Sequence, residues 1–319
     1  MHPTPSTHTT HPPEPPSCVQ FSPQDPTLVT LGTYFLNASA ADLSSKKTGH
    51  LCLYSVTPDE GFTLLQSHPT QAILDLKFSP HSPDTLALAH SLGQVSVWTL
   101  SERALTLKAL FTPFPEDVLV LSLTFSPTSR DTLAVTLSTG EVATVSLESG
   151  EVVERWAPHT LEAWTCVFTP DGRGVYSGAD DSVVCLWDVA GGSEAWRDRR
   201  SHGAGVTAVL PVGGEGAVLT GSYDEGLRAF EVRGGRRGVV GEVRVEGGGV
   251  WRLAWMGEGQ KRVLASCMHA GTRVVDVEGL EVVAGWVEGE SMNYGSDVTA
   301  DGRVVSCSFY DKRLSLWSA

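Results

Sequence analysis

The chain has 319 residues, 41% of them hydrophobic, and carries 37 acidic against 23 basic side chains for a formal net charge of -14. Its length and apolar content suit a closed β architecture that forms one domain with a full core. The acidic balance argues against a nucleic-acid-binding protein, because phosphates require Lys and Arg. It favours a cationic partner or, equally, serves as a solubilising surface.

The cysteine usage and the hydropathy pattern indicate the compartment. The six cysteines are scattered without a Cys-x-x-Cys pair, so the sequence predicts neither a disulfide framework nor a zinc site, and a reducing compartment fits. It contains neither an N-terminal signal-like apolar segment nor a run of about eighteen apolar residues. We expect a cytoplasmic, monomeric protein that holds no metal or cofactor and does not enter a membrane.

The first segment, residues 1–16, is rich in Pro, Thr and His and has no apolar pattern. Such a segment cannot bury enough surface to offset the entropy of ordering it. The sequence therefore predicts a disordered tail over residues 1–16, followed by one domain over residues 17–319.

The rest of the chain repeats one β-hairpin, in which two apolar runs flank a turn of small and acidic residues. Aligning the second runs places these residues in one column: Tyr54, Trp98, Val145, Trp187, Phe230, Val275 and Trp317. The spacing of about 40–45 residues and the Trp-Asp ending of the fourth run resemble the WD-repeat β-propeller. The predicted fold class is therefore all-β, a seven-bladed WD-repeat β-propeller.

Two irregularities interrupt this repeat. Residues 35–50 insert between the hairpin strands of the first blade and are expected to form a surface loop. The chain also stops after the third strand of the seventh blade, so the outer strand has to come from residues 4–11, where Pro and His are poor strand formers. The sequence predicts a thin ring closure.

Several polar residues recur at fixed places in the blades and are interpreted as a structural hydrogen-bond network, since a buried Asp requires donors. The fourth blade has the full set, the fifth lacks its Trp, and the seventh places Cys307 at the hydroxyl position. The predicted members are His159, Ser177, Asp181 and Trp187; His202, Thr220 and Asp224; and Asp311 and Trp317.

The sixth blade departs from this network. His269 occupies the turn position that is Asp in other blades, and a Gly triplet stands where a His precedes the blade, so the network does not explain this histidine. Residues expected on the same face are Tyr223, Tyr310, Asp180, Glu225, Trp164 and Trp251. Aromatic rings with carboxylates suit a cationic group, best a quaternary ammonium. For any one aromatic residue, an ordinary place on the propeller rim explains it equally well.

The amino-acid sequences of several segments are more specific than those of a generic WD repeat. The segments include Ala72–Asp75, His159-x-x-Glu162-Ala163-Trp164, Gly247–Arg252, Cys267-Met268-His269 and Cys307–Asp311. Over roughly residues 18–319 the chain resembles the WD-repeat diphthine methyl ester hydrolase family. This resemblance implies hydrolysis of a methyl ester on a modified histidine of translation elongation factor 2, a step in diphthamide biosynthesis. The modified side chain also carries a trimethylammonium group.

The mechanism is a hypothesis that rests on where the candidate residues fall in the repeat. No Gly-x-Ser-x-Gly elbow occurs, so water or a serine such as Ser222 or Ser308 is the nucleophile. His269 is the candidate general base, because imidazole titrates near neutral pH. Tyr223 or Tyr310 is the candidate donor to the oxyanion. The candidate cation-binding residues are Trp164, Trp251, Asp180, Glu225 and Glu162.

Two other classes of function remain open. Most WD-repeat propellers are interaction platforms, and a fold does not fix a function, so a non-catalytic adaptor for elongation factor 2 or other pathway proteins is the main alternative. A reader of methylated lysine would use the same aromatic residues without turnover. His269 discriminates between these readings, because an adaptor has no need of a histidine at that position.

Overall fold

The computed structural model describes residues 3–213, 216–232, 238–257 and 259–319. Seven antiparallel sheets follow one another along the chain, and the innermost strand of each sheet contacts the innermost strand of the next until the seventh returns to the first. The predicted all-β, seven-bladed propeller is therefore confirmed.

The strands of the first four blades account for residues 16–198. Blade one contains β2 (Pro16–Phe21), β3 (Leu28–Thr33), β4 (Phe35–Leu36), β5 (Lys47–Thr57) and β6 (Gly61–Gln71), with the short helix α1 (Leu43–Lys46) before β5. Blade two contains β7 (Ile73–Phe78), β8 (Thr85–His90), β9 (Val95–Ser101) and β10 (Ala104–Phe111). Blade three contains β11 (Val120–Phe125), β12 (Thr132–Leu137), β13 (Val142–Ser146) and β14 (Val152–Trp156). Blade four contains β15 (Ala163–Phe168), β16 (Gly174–Ala179), β17 (Val184–Asp188) and β18 (Ser193–Asp198).

The remaining blades complete the ring. Blade five contains β19 (Val206–Val212), β20 (Ala217–Ser222), β21 (Gly226–Glu231) and β22 (Gly238–Arg244). Blade six contains β23 (Arg252–Met256), β24 (Arg262–Ser266), β25 (Thr272–Asp276) and β26 (Glu281–Trp286). Blade seven contains β27 (Asn293–Val298), β28 (Arg303–Ser308) and β29 (Arg313–Ser318), with β1 (His8–Thr10) as its outer strand.

Burial explains why the strands differ in composition. Middle strands such as β12 (TLAVTL) are buried on both faces between neighbouring blades and read as nearly continuous apolar runs. Outer strands such as β22 (GVVGEVR) have one exposed face and mix apolar with charged residues. Apolar clusters join one blade to the next; in one of them Ala89 and Val95 of blade two pack with Leu123 and Val135 of blade three. Each blade is therefore stabilised mainly by its neighbours.

The N-terminal segment closes the ring. β1 pairs antiparallel with β29, with Thr9 opposite Ser315, and Thr4 N donates to Gly285 O at 2.8 Å. The predicted ring closure by residues 4–11 agrees with this pairing, and three residues make a thin strand. The predicted disordered tail over residues 1–16 requires correction within residues 3–16. A prediction from composition does not take into account the open edge of β29, whose backbone N–H and C=O groups pair with this segment.

The insertion in blade one also differs from a simple surface loop. Its Phe35 and Leu36 pair with β5 as a short strand, and Asp42 caps α1 by accepting from Ser45 N at 2.8 Å. The end of the predicted loop, residues 47–50, belongs to β5. Phe35 and Leu36 remain 41% and 55% exposed at the wall of the cavity described below, so the insertion contributes to that wall.

Deleting residues 1–10 tests the closure. We expect the deletion to lower the free energy of unfolding by about 3 kcal/mol or more, because several backbone hydrogen bonds to β29 and Gly285 are lost at about 1 kcal/mol each. Urea denaturation of both forms measures the difference. A peptide of residues 3–12 added in excess should restore part of the loss. An unchanged midpoint would show that β1 does not stabilise the ring.

Candidate functional site

A β-bulge recurs at the same place on the innermost strands. The register between the innermost and the second strand of a blade skips one residue near the start of the inner strand in six blades. The skipped residues are Ser17, Leu74, Leu121, Trp164, Thr207 and Tyr294. In blade six Trp251 directly precedes β23 and donates its N–H to Ser266 O at 2.7 Å. A bulged residue is freed from the ladder, and its side chain is re-aimed.

All of these residues except Thr207 line a cavity of about 570 Å³ at one mouth of the central channel. Blades one to three contribute mainly aliphatic side chains, whereas blades four to seven contribute aromatic ones. The lining residues are Pro15, Ser17, Tyr34, Phe35, Leu36, Ile73, Leu74, Leu121, Trp164, Tyr223, Trp251, Tyr294, Phe309 and Tyr310. The volume falls within the usual range for small-molecule sites, and the lining is predominantly apolar.

The aromatic residues contact one another in a continuous chain. The Trp251 ring lies at the centre, with its centroid 5.5 Å from Trp164, 5.9 Å from Tyr223 and 5.1 Å from Tyr294. Tyr294 continues to Phe309 at 5.4 Å, and Phe309 to Tyr34 at 6.4 Å. Neighbouring rings are tilted or T-shaped relative to one another, so their faces point in several directions. We call Trp164, Tyr223, Trp251 and Tyr294 the aromatic box.

A carboxylate and a phenol define the polar chemistry of the box. Asp180 Oδ1 accepts from the Trp164 indole Nε1 at 3.2 Å, which fixes the orientation of that ring. Burial raises the pKa of Tyr223, and the negative charge of Asp180 raises it further. The Tyr223 hydroxyl is therefore protonated at neutral pH and remains available as a hydrogen-bond donor.

The structure brings some of the predicted site residues together and separates others. Trp164, Trp251, Tyr223 and Tyr310 line the cavity, although Tyr310 is 69% exposed. Glu162 does not line it; its backbone oxygen accepts from Asp180 N at 2.9 Å. Glu225 also lies outside the lining, where it pairs with Arg244 at 3.4 Å and accepts from Gly247 N.

His269 lies in an exposed turn and is not among the residues that line the cavity. The turn packs on the Gly triplet that leads into Trp251: a Cβ on Gly248 would stand 3.0 Å from His269 N. Gly249 in turn lies against Tyr223 and the Met268 sulfur. The histidine is thus on a turn that packs against the loop bordering the box, and its predicted catalytic role remains a prediction.

Comparison with known proteins identifies the family. The model "WD domain, G-beta repeat" matches residues 150–188. Diphthine methyltransferase of Schizosaccharomyces pombe is 34% identical over 304 residues, which cover 91% of this chain and 90% of that protein. The chain belongs to the diphthine methyltransferase family. Diphthine methyltransferase of Saccharomyces cerevisiae is 27% identical and covers 95% of both chains.

A solved structure supports the fold of this family member. A chain in "Crystal Structure of Mitotic Checkpoint Complex" superposes with a TM-score of 0.79 over 99% of this chain and 92% of its own length. The sequence identity is 16%, so the similarity concerns the fold alone. Within the described ranges, no cluster of three or more metal-binding side chains occurs. No helix among the described residues is long and apolar enough to cross a membrane.

Hydrogen bonds join several of the expected network residues of this family member. In blade four His159 Nε2 lies 2.9 Å from Ser177 Oγ, and its Nδ1 lies 3.2 Å from Asp181 Oδ1. Trp187 needs correction: its ring stacks on Trp156 at 5.4 Å, and Cys185 Sγ lies 3.2 Å from Ser177 Oγ. The nearby indole of Trp156 offers a large apolar partner, and this stacking positions Trp187.

Blades five and seven vary the same network. His202 Nε2 lies 2.9 Å from Thr220 Oγ1, while Asp224 pairs with Arg228 at 2.9 Å. In blade seven the hydroxyl that accepts from Trp317 Nε1, at 3.0 Å, belongs to Ser306 and not to Cys307. The alignment was one residue out of register, which in a strand moves a side chain to the other face. Asp311 accepts from Ser291 Oγ at 2.9 Å, so a serine replaces the histidine there.

Sequence reasoning missed Tyr294, Phe309 and Tyr34 as site residues, although all three line the cavity. A signal for Tyr294 exists. It stands at the same position of its inner strand as Trp164 does, immediately after the residue that begins the strand pairing. Aligning the starts of the inner strands would have found it. Phe309 and Tyr34 directly follow the second strands of their blades, as Asp180 and Tyr223 do, so aligning the ends of the second strands would have found them.

The pH dependence of stability tests whether His202 and His90 are buried in their neutral forms. Burial, together with the charge of Arg228, lowers the pKa of His202 to about 4, and burial lowers the pKa of His90 to about 4. In the unfolded chain both titrate near 6.5, so the unfolded state binds more protons between pH 4 and 6.5, and stability falls as the pH drops through this window. For each histidine the loss is about 2 kcal/mol by pH 5.

In the variant His202→Gln the new side chain can still hydrogen-bond to Thr220, but it does not bind a proton between pH 4 and 6.5. We expect the stability difference between pH 7.5 and pH 5 to be smaller by about 2 kcal/mol in this variant than in the wild type. Urea denaturation at both pH values measures it, with the pH 7.5 value as the reference for any loss of packing against Phe230. Equal pH dependence of the two proteins would contradict the burial of a neutral His202.

Proposed function

We propose that this protein hydrolyses the methyl ester of diphthine methyl ester on translation elongation factor 2, giving diphthine and methanol. The aromatic box carries this proposal. The family relatives bear the name diphthine methyltransferase, and the resemblance stated above assigns a trimethylammonium group to the modified histidine. A pocket lined by four touching aromatic residues is a suitable receptor for that group.

The chemistry of the box favours a quaternary ammonium over other cations. Such a group has no N–H to donate, so it loses no hydrogen bonds to water when it enters the pocket. The ring faces attract its positive charge. The Trp251 ring is tilted by 57° from Trp164 and by 52° from Tyr294, so the faces of the three rings point in different directions. The carboxylate of Asp180, held at the edge of the Trp164 ring, adds a negative charge without entering the lining.

The reaction requires a water nucleophile, a base and a donor to the oxyanion. Water adds to the ester carbonyl carbon and gives up a proton to the base. The tetrahedral intermediate then expels methoxide, which takes a proton back and leaves as methanol. Tyr223 is the proposed donor to the oxyanion, because its hydroxyl stays protonated at the cavity wall.

His269 is the proposed base. Its side chain is exposed to solvent, and its turn packs against the loop bordering the box. Since it does not line the cavity, its role requires water to relay the proton between the ester and the histidine. Binding without turnover, by an adaptor or a methyl-lysine reader, needs the same box but neither His269 nor the Tyr223 hydroxyl. These two side chains therefore decide between hydrolysis and mere recognition.

The first test uses elongation factor 2 arrested at the methyl-ester stage and follows its intact mass. We expect the wild type to remove the mass of one CH₂ group. Tyr223→Phe should slow this by about 100-fold, as for loss of one oxyanion donor. His269→Gln should slow it by about 100-fold or more, as for loss of a general base. Tyr310→Phe, whose ring is mostly exposed, should retain most activity.

Each other outcome has a definite meaning. Normal turnover by His269→Gln would show that another group is the base, while the esterase activity would stand. Gain of one CH₂ mass, when a methyl donor such as S-adenosylmethionine is supplied, would replace hydrolysis with methyl transfer, in line with the name of the relatives. Binding of the substrate without a change in mass would favour the adaptor.

A second test concerns the box. Trp251→Leu removes the ring at its centre and should raise KM by about 5- to 30-fold, as expected for the loss of one desolvated cation–π contact. The matched control is Trp255→Leu on the same blade, where the indole donates to Pro211 O at 3.0 Å and does not line the cavity. If both variants change KM equally, the effect comes from the packing of blade six and not from the cation.

A further inference from the structure

Arg252 stands directly beneath the aromatic box and has no role in the site described so far. Its guanidinium carbon lies 4.8 Å from the centroid of the Trp251 ring. Its Nη1 donates to Trp251 O at 3.1 Å and to Thr207 O at 3.3 Å. A guanidinium carries five N–H donors, so two carbonyls bound by one nitrogen leave donors on the others.

These donors adjoin a second, smaller cavity of about 60 Å³ in the channel, lined by Arg252, Asp75, Lys77, Ser296 and Asp297 among others. Tyr294 borders both cavities, so the smaller one lies against the floor of the aromatic box. Its size suits one or two waters or a single small polar group. The box thus receives apolar and cationic groups, whereas the space next to it offers hydrogen-bond donors.

The carboxylates in this space are engaged elsewhere. Asp75 is paired with Lys77 at 3.2 Å and accepts from Ser122 Oγ and Leu123 N of the next blade. Asp297 accepts from Phe21 N at 2.7 Å, and burial raises its pKa to about 6. Among the described residues, no ion pair joins Arg252 to a carboxylate. Burial raises the pKa of Asp75, but the charges of Lys77 and Arg252 bring it below its ordinary value, so Arg252 also acts on this carboxylate without touching it. In the described part of the chain only Nη1 of Arg252 is bound to carbonyls, and its other N–H groups are available to an anionic group that enters from the box.

We propose that Arg252 and the aromatic box form one zwitterion site, in which the box binds the trimethylammonium group and Arg252 binds the carboxyl oxygens of the same side chain. This inference rests on the proposed cation site and deepens it. An ester carbonyl offers Arg252 a weak acceptor, whereas the tetrahedral oxyanion and the product carboxylate offer a full negative charge. Arg252 therefore stabilises the reacting state more than the ester, which is the condition for a contribution to rate.

Small probes separate the two halves of the site without requiring turnover. They are tetramethylammonium, which is a cation only; trimethylglycine, which adds a carboxylate; and trimethylglycine methyl ester, which masks it. Quenching of tryptophan fluorescence and calorimetry measure their affinities. We expect the full-length wild type to bind trimethylglycine about 10- to 100-fold more tightly than tetramethylammonium, the range of a charge-assisted hydrogen bond, with the methyl ester in between.

The decisive variant is Arg252→Gln. It should bind all three probes within about threefold of one another, and its affinity for tetramethylammonium should be unchanged or higher, because a like charge is removed. Arg252→Lys should keep part of the preference. The matched control is Arg273→Gln, since Arg273 is also half-buried in blade six and donates to a backbone carbonyl, Thr272 O, but does not line either cavity.

An unchanged preference for trimethylglycine in Arg252→Gln overturns the assignment of Arg252. A loss of preference shared by Arg273→Gln also overturns it, because the effect would then belong to the fold of the blade. Failure of all three probes to bind the wild type removes the cation site and this inference with it. A preference that depends on Arg252, found in a protein that leaves the methyl ester intact, supports the zwitterion site and refutes the esterase.

Discussion

The bulge near the start of the innermost strands is the constraint on which the site depends. A regular ladder would alternate side chains between neighbouring blades and bury both sets, as it does in the middle strands. Skipping one residue frees the side chain at the channel mouth, and the residue type then decides what the mouth binds. Leucines at positions 74 and 121 make one half aliphatic, while Trp164 and Tyr294 make the other half aromatic. The propeller supplies the geometry, and a few exchangeable positions supply the chemistry.

The repeat pattern was enough to predict the architecture, because seven hairpins with apolar runs can bury their faces only against one another. Pairing between distant segments was harder to predict. The closure by His8–Thr10 depends on an edge strand more than 300 residues away, which local composition does not reveal. Trp187 followed the family pattern in sequence but stacks on Trp156, since packing between two large rings outweighed a hydrogen bond that the pattern implied.

The candidate site was predictable in part from the position of residues on one face of the propeller. Trp164 and Trp251 were expected there and do line the cavity. His269 was singled out because it departs from the repeat, yet its side chain is exposed and lies outside the lining. An unusual residue thus marks either a function or a blade that has lost its network, and sequence alone does not separate the two. Arg252 was noted only as the end of the segment Gly247–Arg252 and was given no role, because its significance comes from the small cavity that it lines and from its contact with Trp251.

Charge gives a physical reason for dividing recognition between rings and one arginine. The formal net charge of -14 produces a negative field that attracts a cation from a distance but is screened beyond about 10 Å at ordinary salt. Under the proposed reaction the ester-bearing group has a net positive charge, whereas the product zwitterion is neutral. The field therefore favours arrival of the ester over return of the product. Arg252 acts only at short range, where it favours the negative oxygen that forms during the reaction. The wall of the larger cavity offers the cation ring faces and, among the described residues, no carboxylate. A cage built from carboxylates would bind the ester more strongly and stabilise its transition state less.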